Sequence, residues 1–546
     1  MSASSSTTDD AKHLLGEVRM AEEDGCNSSG ITTMTNGGTP VVEFSPTTTT
    51  SPSSPSMRKL NIDEVLEMVG EYGTYQRILN VIFGLMEIPY VFVVYIMFFT
   101  ALPPNWRCVS NSTQCTLNGT FANDDEYRCN IPRSEWEYVQ PNSFSMIVAY
   151  DLGCDREWLV YLSTSIIFFG ALFGFIILNW ISDNYGRKKV VFVSYLFSNL
   201  ANVLSAFMPS VELFIVFRFV AGFFMVGANC FIMISEVVGG KYRAPAGNII
   251  WLFYTAALCL LSFKAYLIDS WKMLFFYGSI PYLVMMFVYK FVPESVRWLR
   301  LKGRVNDALV IIQNIGKVNG KILDVNVTLS VPPVKKTVTS PLDIFHSKKM
   351  ILNTIILFFA FLVNANVYFG LSLAADDLGV GSVYLNFVLV SLVEFPADLL
   401  AIVFCNKFGR KKASTLPLIL AGVLTLVVSF IPPTSTSRIV VGMFGKLFIT
   451  ISFNSISTWV VEIYTTNIRS EALGLMGISS TIGGASAPWI AKGLRKVKPN
   501  LPFHIMGTLG LVAGIVSFVL PETNGVVMKD NVIEAHEEVE DGIRLK

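Results

Sequence analysis

A charged side chain inside a long apolar run is costly to keep, about 2.5–3.5 kcal/mol at the centre of a bilayer on insertion scales. Six such residues stand in this sequence: Glu87, Arg218, Lys264, Glu394, Asp398 and Lys446. Each needs a partner or a wet cavity. Glu394, in "LVEFPADLL", is the first candidate for chemistry. Phe387 precedes it by seven residues, two helical turns away on the same face. Phe361 and Tyr368 repeat that spacing in another run. A carboxylate flanked by aromatic rings suits a bulky organic cation, which gains from both the charge and the ring faces. The plainer alternative is a structural ion pair for Glu394 and core packing for the rings. Lys446, in "GKLFITISFN", can balance Glu394 or bind a carboxylate. Asp398, one turn beyond Glu394, is read as a partner for basic residues near the cytosolic helix end, with a second cation or proton site as the alternative.

These residues must be positioned by membrane helices. The 546-residue chain is 52% hydrophobic and only 15% charged, against about 25% charged in a soluble domain. Its mean hydropathy of +0.52 agrees. A net charge of +1 gives no clustered basic face for nucleic acid. A helix needs about 20 apolar residues to cross a bilayer. Twelve such runs start near Ile78, Trp158, Lys188, Val211, Ala246, Trp271, Met350, Gly381, Ala413, Arg438, Glu471 and Pro502. Residues 1–56 are rich in Ser, Thr and Pro and are expected to be disordered. No cleavable signal is expected at the start. The segments 294–349 and 524–546 are expected to be a polar linker, with short helices in "RVNDALVIIQNIGK", and a tail.

The loop at 103–157 carries Cys108, Cys115, Cys129 and Cys154, and the glycosylation acceptors Asn111 and Asn118. Both features belong to an oxidising, outward-facing compartment. Four cysteines allow three pairings, and spacing does not choose among them. Lys and Arg crowd the alternate connections, from Arg187 to Lys189, at Lys241 and Arg243, through 297–349, and from Lys407 to Lys412. That is the positive-inside pattern, with both termini cytosolic. Lys492, Arg495, Lys496 and Lys498 fall on the wrong side of this count.

"SDNYGRKKVV" at 182–191 and "CNKFGRKKAS" at 405–414 read alike. Glu236 precedes Arg243 by seven residues, as Glu462 precedes Arg469. Pro-Glu-Ser at 293–295 is matched by Pro-Glu-Thr at 521–523. The three pairs keep their order at offsets of 223, 226 and 228 residues (Gly186 to Gly409, Glu236 to Glu462, Pro293 to Pro521). This predicts an all-α membrane protein of two six-helix pseudo-repeats, 57–293 and 350–523, with a cavity between them and alternating access. Gly186 and Gly409 permit a tight turn. Arg187 and Arg410 can reach Glu236 and Glu462 as directional latches holding the cytosolic face closed. Asp183, matched only by neutral Asn406, predicts a stronger first latch.

The Asp183-x-x-Gly186-Arg187-Lys188 turn, the Glu/Arg pairs and the Pro-Glu ends resemble the major facilitator superfamily. "SMIVAYDLGCDREW", "PESVRWL" and "LVEFPADLL" further resemble its organic cation, anion and carnitine transporters, over about 60–525. The resemblance implies a substrate path at the Val-Glu-Phe-Pro glutamate and its aromatic neighbours, with a basic residue at Lys446. Just before "IGG" in the eleventh run, cation carriers of that family have aspartate and anion and carnitine carriers arginine; here Thr481 is neutral and can only hydrogen-bond. The expectation is a plasma-membrane carrier of small organic cations or zwitterions, without cofactor or metal. A sugar porter, or a transport-dead receptor on the same fold, are the alternatives. No nucleotide loop, metal spacing or nucleophile constellation supports an enzyme.

Overall fold

The computed structural model describes residues 58–523, except 111, 113, 116, 118, 122–124, 226, 227, 324–326, 331–346, 380 and 465–467. Asn111 and Asn118, the N-terminal segment 1–56 and the tail from 524 lie outside the described residues. Twelve spans follow in order. The first six are span 1 (Thr74–Thr100), span 2 (Trp158–Tyr185), span 3 (Arg187–Ser205), span 4 (Val211–Phe223 and Ala228–Val237), span 5 (Arg243–Leu267) and span 6 (Trp271–Ser279, continued as a 3-10 helix over Ile280–Lys290). The second six are span 7 (Lys348–Leu373), span 8 (Val383–Leu392 and Glu394–Phe408), span 9 (Arg410–Phe430), span 10 (Thr436–Ile463), span 11 (Arg469–Pro488, continued as a π-turn over Trp489–Gly493) and span 12 (Leu501–Ser517). Eight are long and apolar enough to cross a bilayer unaided. The other four have local reasons not to be: span 3 opens on Arg187, Lys188 and Lys189, span 4 is interrupted, span 11 is rich in Ser and Gly and opens on Arg469 and Glu471, and span 12 has 17 residues.

Within each half, small residues let backbones touch. A Cβ at Gly170 would lie 2.2 Å from the Phe219 carbonyl oxygen, joining spans 2 and 4, and one at Gly422 would lie 2.5 Å from the Leu511 nitrogen, joining spans 9 and 12. In a bilayer, where apolar burial drives helices together weakly, such close approach is a main source of adhesion.

The segment between spans 1 and 2 is a small domain at what is here termed the outer end. Trp106–Cys108 pairs antiparallel with Trp136–Tyr138, and Trp106 and Trp136 are its buried centre. Its disulfides are Cys108–Cys115 and Cys129–Cys154. At the opposite, inner end, an amphipathic helix (Ile62–Val69), capped by Asn61 and Glu64, packs with helix Val305–Val318 of the linker. Strand Arg58–Leu60 runs parallel to Val327–Leu329. The Asn319 side chain bonds the Val69 carbonyl, the Gln76 amide oxygen and the Tyr75 N–H. Asp63 takes Arg243 at 2.5 Å and Arg297 at 2.6 Å. Burial pushes the Asp63 carboxyl up, but the two guanidiniums outweigh it and hold it below its ordinary value.

The two halves meet at the outer end. Phe98 and Phe99 of span 1 pack on Phe387 of span 8 with centroids 4.7 and 5.1 Å apart, and Phe168 of span 2 packs on Phe369 of span 7 at 4.9 Å. Ser165 donates to the Ala485 carbonyl at 2.7 Å, and Ser262 to the Tyr384 carbonyl at 2.8 Å. One apolar cluster spans both halves here, whereas at the inner end each half buries its own. The packing shared by the two halves is concentrated at the outer end.

Candidate functional site

The centre of the second half holds Glu394, Tyr368 and Lys446, on spans 8, 7 and 10. Span 8 breaks at Val393, because Pro396 has no N–H to offer the Leu392 carbonyl. Glu394 therefore heads the second helical segment, whose positive dipole end favours a carboxylate. All three side chains are buried. The Tyr368 hydroxyl lies 3.0 Å from both Glu394 oxygens. Lys446 Nζ lies 3.0 Å from Glu394 Oε1, and also donates to the Tyr368 carbonyl at 3.1 Å and Ser372 Oγ at 2.8 Å. An ammonium has three N–H bonds, and all three are used.

Asp398, one turn further along, accepts from the Asn454 amide at 2.8 Å. Its expected basic partner near the helix end is not what the described contacts show. With both carboxylates ionised, two negative charges here meet one positive. Tyr368 stacks on Phe453 at 5.9 Å, which also touches Phe361 at 6.1 Å, forming an aromatic wall beside the carboxylate. The first half contributes Tyr95 and Tyr254, whose hydroxyls lie 3.4 Å apart and within reach of the Glu394 charge. Asn454, Phe453, Tyr95 and Tyr254 drew no attention in the sequence; their residue types are common in membrane helices, and only the fold converges them. Phe387, expected beside Glu394, belongs to the outer aromatic seam. Thr481 donates to the Gly477 carbonyl of its own helix at 2.8 Å, and no described contact joins it to Glu394.

The remaining charges of the apolar runs lie in the first half, where Lys264 falls in the last turn of span 5 rather than at the midplane. Arg218 is fully buried, donating to the Val93 carbonyl and Asn202. Lys264 donates to the Tyr277 carbonyl and the Tyr282 hydroxyl. Glu87 faces a small cavity lined by Ser194, Ser198 and Asn199.

The repeated turns form two matching inner clasps. Arg187 pairs with Glu236 at 2.6 Å, and Arg410 with Glu462 at 2.9 Å. Glu236 also takes the Ser295 hydroxyl, and Glu462 the Thr523 hydroxyl at 2.6 Å. Each clasp lies within one half, and both ion pairs are formed. Both pairs expected of the repeated turns are formed, and each joins elements of its own half. Asp183, expected to strengthen the first latch, is largely exposed and 3.9 Å from Arg187. The strong acceptors are Glu294 and Glu522, seen in the sequence only as end markers. Glu294 accepts the N–H groups of Arg187 and Lys188 at 2.9 and 3.0 Å; Glu522 accepts those of Arg410 and Lys411 at 3.0 and 3.2 Å. A carboxylate at a helix N-terminus meets orphan donors and the dipole together. Gly186 and Gly409 have φ of +113° and +82°, and a Cβ on either would stand 2.6 Å from that carboxylate. Arg243 serves Asp63 rather than Glu236, and Arg469 donates to the Tyr464 carbonyl.

Three of the four basic residues that spoiled the charge count have acidic partners at the outer end. Lys492 pairs with Asp376, Arg495 with Asp377 at 2.5 Å, and Lys496 with Glu157.

Residues 83–531 match the family described as "Sugar (and other) transporter". The rat protein "Solute carrier family 22 member 3" is 33% identical over 402 residues, 73% of each chain. The Drosophila melanogaster "Organic cation transporter-like protein" is 28% identical over 530 residues, covering 87% of this chain and 92% of that one. Human "Solute carrier family 22 member 2" is 30% identical over 428 residues, 76% of each. Among solved structures, the inward open conformation of an E. coli xylose transporter aligns with a TM-score of 0.58 at 14% identity, covering 83% of this chain and 98% of that one.

Proposed function

The chain belongs to the sugar (and other) transporter family, within the major facilitator superfamily, and from that premise we propose that it carries small organic cations through the Glu394 site by alternating access. The observation that carries this reading is the surplus of acid: Glu394 and Asp398 against Lys446 alone, beside the Tyr368, Phe453 and Phe361 rings. The names of relatives such as the organic cation transporter-like protein point to the same class of cargo. A monovalent cation gains about 2.3 kcal/mol per 100 mV of membrane potential, so the gradient and the potential suffice as drivers. No covalent step on the cargo is proposed.

The cargo's charge must compete with Lys446 for Glu394. A cation that wins leaves Lys446 to its other two acceptors, the Tyr368 carbonyl and Ser372. The Lys446–Glu394 contact also favours a second reading, in which a zwitterion inserts, its ammonium on Glu394 and its carboxylate on Lys446.

We place the inner end in the cytosol and the outer domain outside the cell, at the plasma membrane. The Gly-Arg-Lys-Lys turns, the disulfide-bonded domain and the acceptors Asn111 and Asn118 in its loop support that orientation.

The test is uptake of cationic, zwitterionic and anionic solutes into oocytes, with pH and potential clamped. Cation uptake is expected to exceed that of anions and to fall at least tenfold in Glu394→Gln at matched surface abundance. Equal uptake by variant and wild type would remove Glu394 from the path; preference for hexoses would make the protein a sugar carrier.

A further inference from the structure

Above the aromatic seam, and beneath the disulfide-bonded domain, lies a second cavity of about 850 Å³. That is large enough for a drug-sized molecule, since ligand pockets run to about 300–1,000 Å³. Its lining comes from both halves: Phe98 of span 1, Glu157 and Tyr161 at the start of span 2, Asp376 after span 7, and Lys492 and Lys496 after span 11. Phe98 is also part of the seam, packed on Phe387, so this space is separated from Glu394.

The charges around it are unequally held. Lys492 and Arg495 are bound to Asp376 and Asp377, whose side chains are 12% and 9% exposed. Lys496 is different. Its only described acid is Glu157, across the boundary between halves, and its side chain is 41% exposed against 20% for Glu157. An ion pair this wet is worth about 0–1 kcal/mol. Glu157 is the fixed member, since it also accepts from the Tyr161 hydroxyl and begins a helix. Lys496 is the replaceable member, a flexible stem reaching in from solvent. The Tyr161 ring meets Trp489 at 5.7 Å, and Phe98 already has the Lys492 ammonium 5.9 Å above its face. Such rings attract a cation that is short of water.

We propose that this outer cavity is a second binding site for organic cations, with Glu157 as its carboxylate anchor and Tyr161 and Phe98 as its aromatic walls, occupied when a cation displaces Lys496. The chemistry of the ligand rests on the cation reading of the Glu394 site; the residues are different. Displacing Lys496 also breaks one of the bonds joining the halves outside, so an arriving cation loosens the seal it must pass.

The test uses purified full-length protein and radiolabelled tetraethylammonium. Glu394→Gln is expected to retain saturable binding, and Glu394→Gln/Glu157→Gln to lose it. Lys496→Met breaks the same ion pair but frees the anchor, so it is expected to tighten outer binding about threefold. Loss of all binding in Glu394→Gln, persistence in the double variant, or weakening by Lys496→Met would each overturn the proposal. If only the cation reading of the centre is wrong, Glu394→Gln leaves binding unchanged while Glu157→Gln alone abolishes it.

Discussion

Lys446 has three N–H bonds and three acceptors, and that count sets what its removal does. Lys446→Met leaves the Glu394 carboxylate buried with only a tyrosine hydroxyl. Removing one partner of a buried ion pair costs about 3–5 kcal/mol, so the unfolding temperature in detergent is expected to drop by several degrees. Lys446→Met/Glu394→Gln should recover most of it; a double variant as unstable as the single one would mean the pair is not what holds these helices. The inner clasps give a second comparison. Glu294→Ala and Glu522→Ala each remove an ionised acceptor of two backbone N–H groups, bonds worth about 1.5–3 kcal/mol. Asp183→Asn touches only a wet, long contact and is expected to cost under about 1 kcal/mol. Thermal unfolding of the three variants side by side checks the order. Residue types suggested the Glu394 neighbourhood, and the fold does join Glu394 to Tyr368 and Lys446. They could not suggest Glu294 or Glu522, because each meets its turn across more than a hundred residues of chain.

Span 8 reads as one apolar run from 381 to 408, and only Pro396 hints that its hydrogen-bond ladder fails just before Glu394. Hydropathy locates elements well when each is a single long helix. It is blind to breaks that cost one or two hydrogen bonds, and it counts charges without seeing their partners. The short outer helix Ala375–Leu378 shows the second limit. Burial pushes the Asp377 carboxyl up to about 6, with Lys492 opposing, Asp376 adding to the rise and Arg495 opposing. A carboxyl whose folded value lies above its ordinary 3.8 holds its proton more tightly when folded, so its drag on stability eases as pH falls from about 6 towards 4. Asp377→Asn is therefore expected to raise the unfolding temperature at pH 7.5 more than at pH 5. An equal shift at both would exclude this titration. The outer domain offers a comparison of loops. Cys129–Cys154 spans 25 residues and Cys108–Cys115 spans 7. Chain entropy makes the longer bridge worth about 1 kcal/mol more. Cys129→Ser/Cys154→Ser should lower surface abundance more than Cys108→Ser/Cys115→Ser.

Across the whole molecule, the aromatic seam joins the halves at one end, while at the other each half buries its own apolar cluster. The duplication was legible because three motif pairs keep a common offset. The state of closure was not, since it depends on which side chains of distant helices touch. Gly484 lies at the seam, where a Cβ would stand 2.6 Å from the Phe168 ring. Gly484→Val is expected to wedge the outer end and cut uptake at least tenfold at wild-type surface abundance; unchanged uptake would show that Phe168 yields freely. The inner cap beneath the first half has a consequence in time. Strand Arg58–Leu60 waits for Val327–Leu329, and Asp63 for Arg297. From Leu60 to Val327 a ribosome adding 5–20 residues per second needs roughly 13–53 s. All six spans of the first half are made within that interval, between Thr74 and Lys290, while their cap has no partner, so the first half completes its inner face only after the linker has emerged.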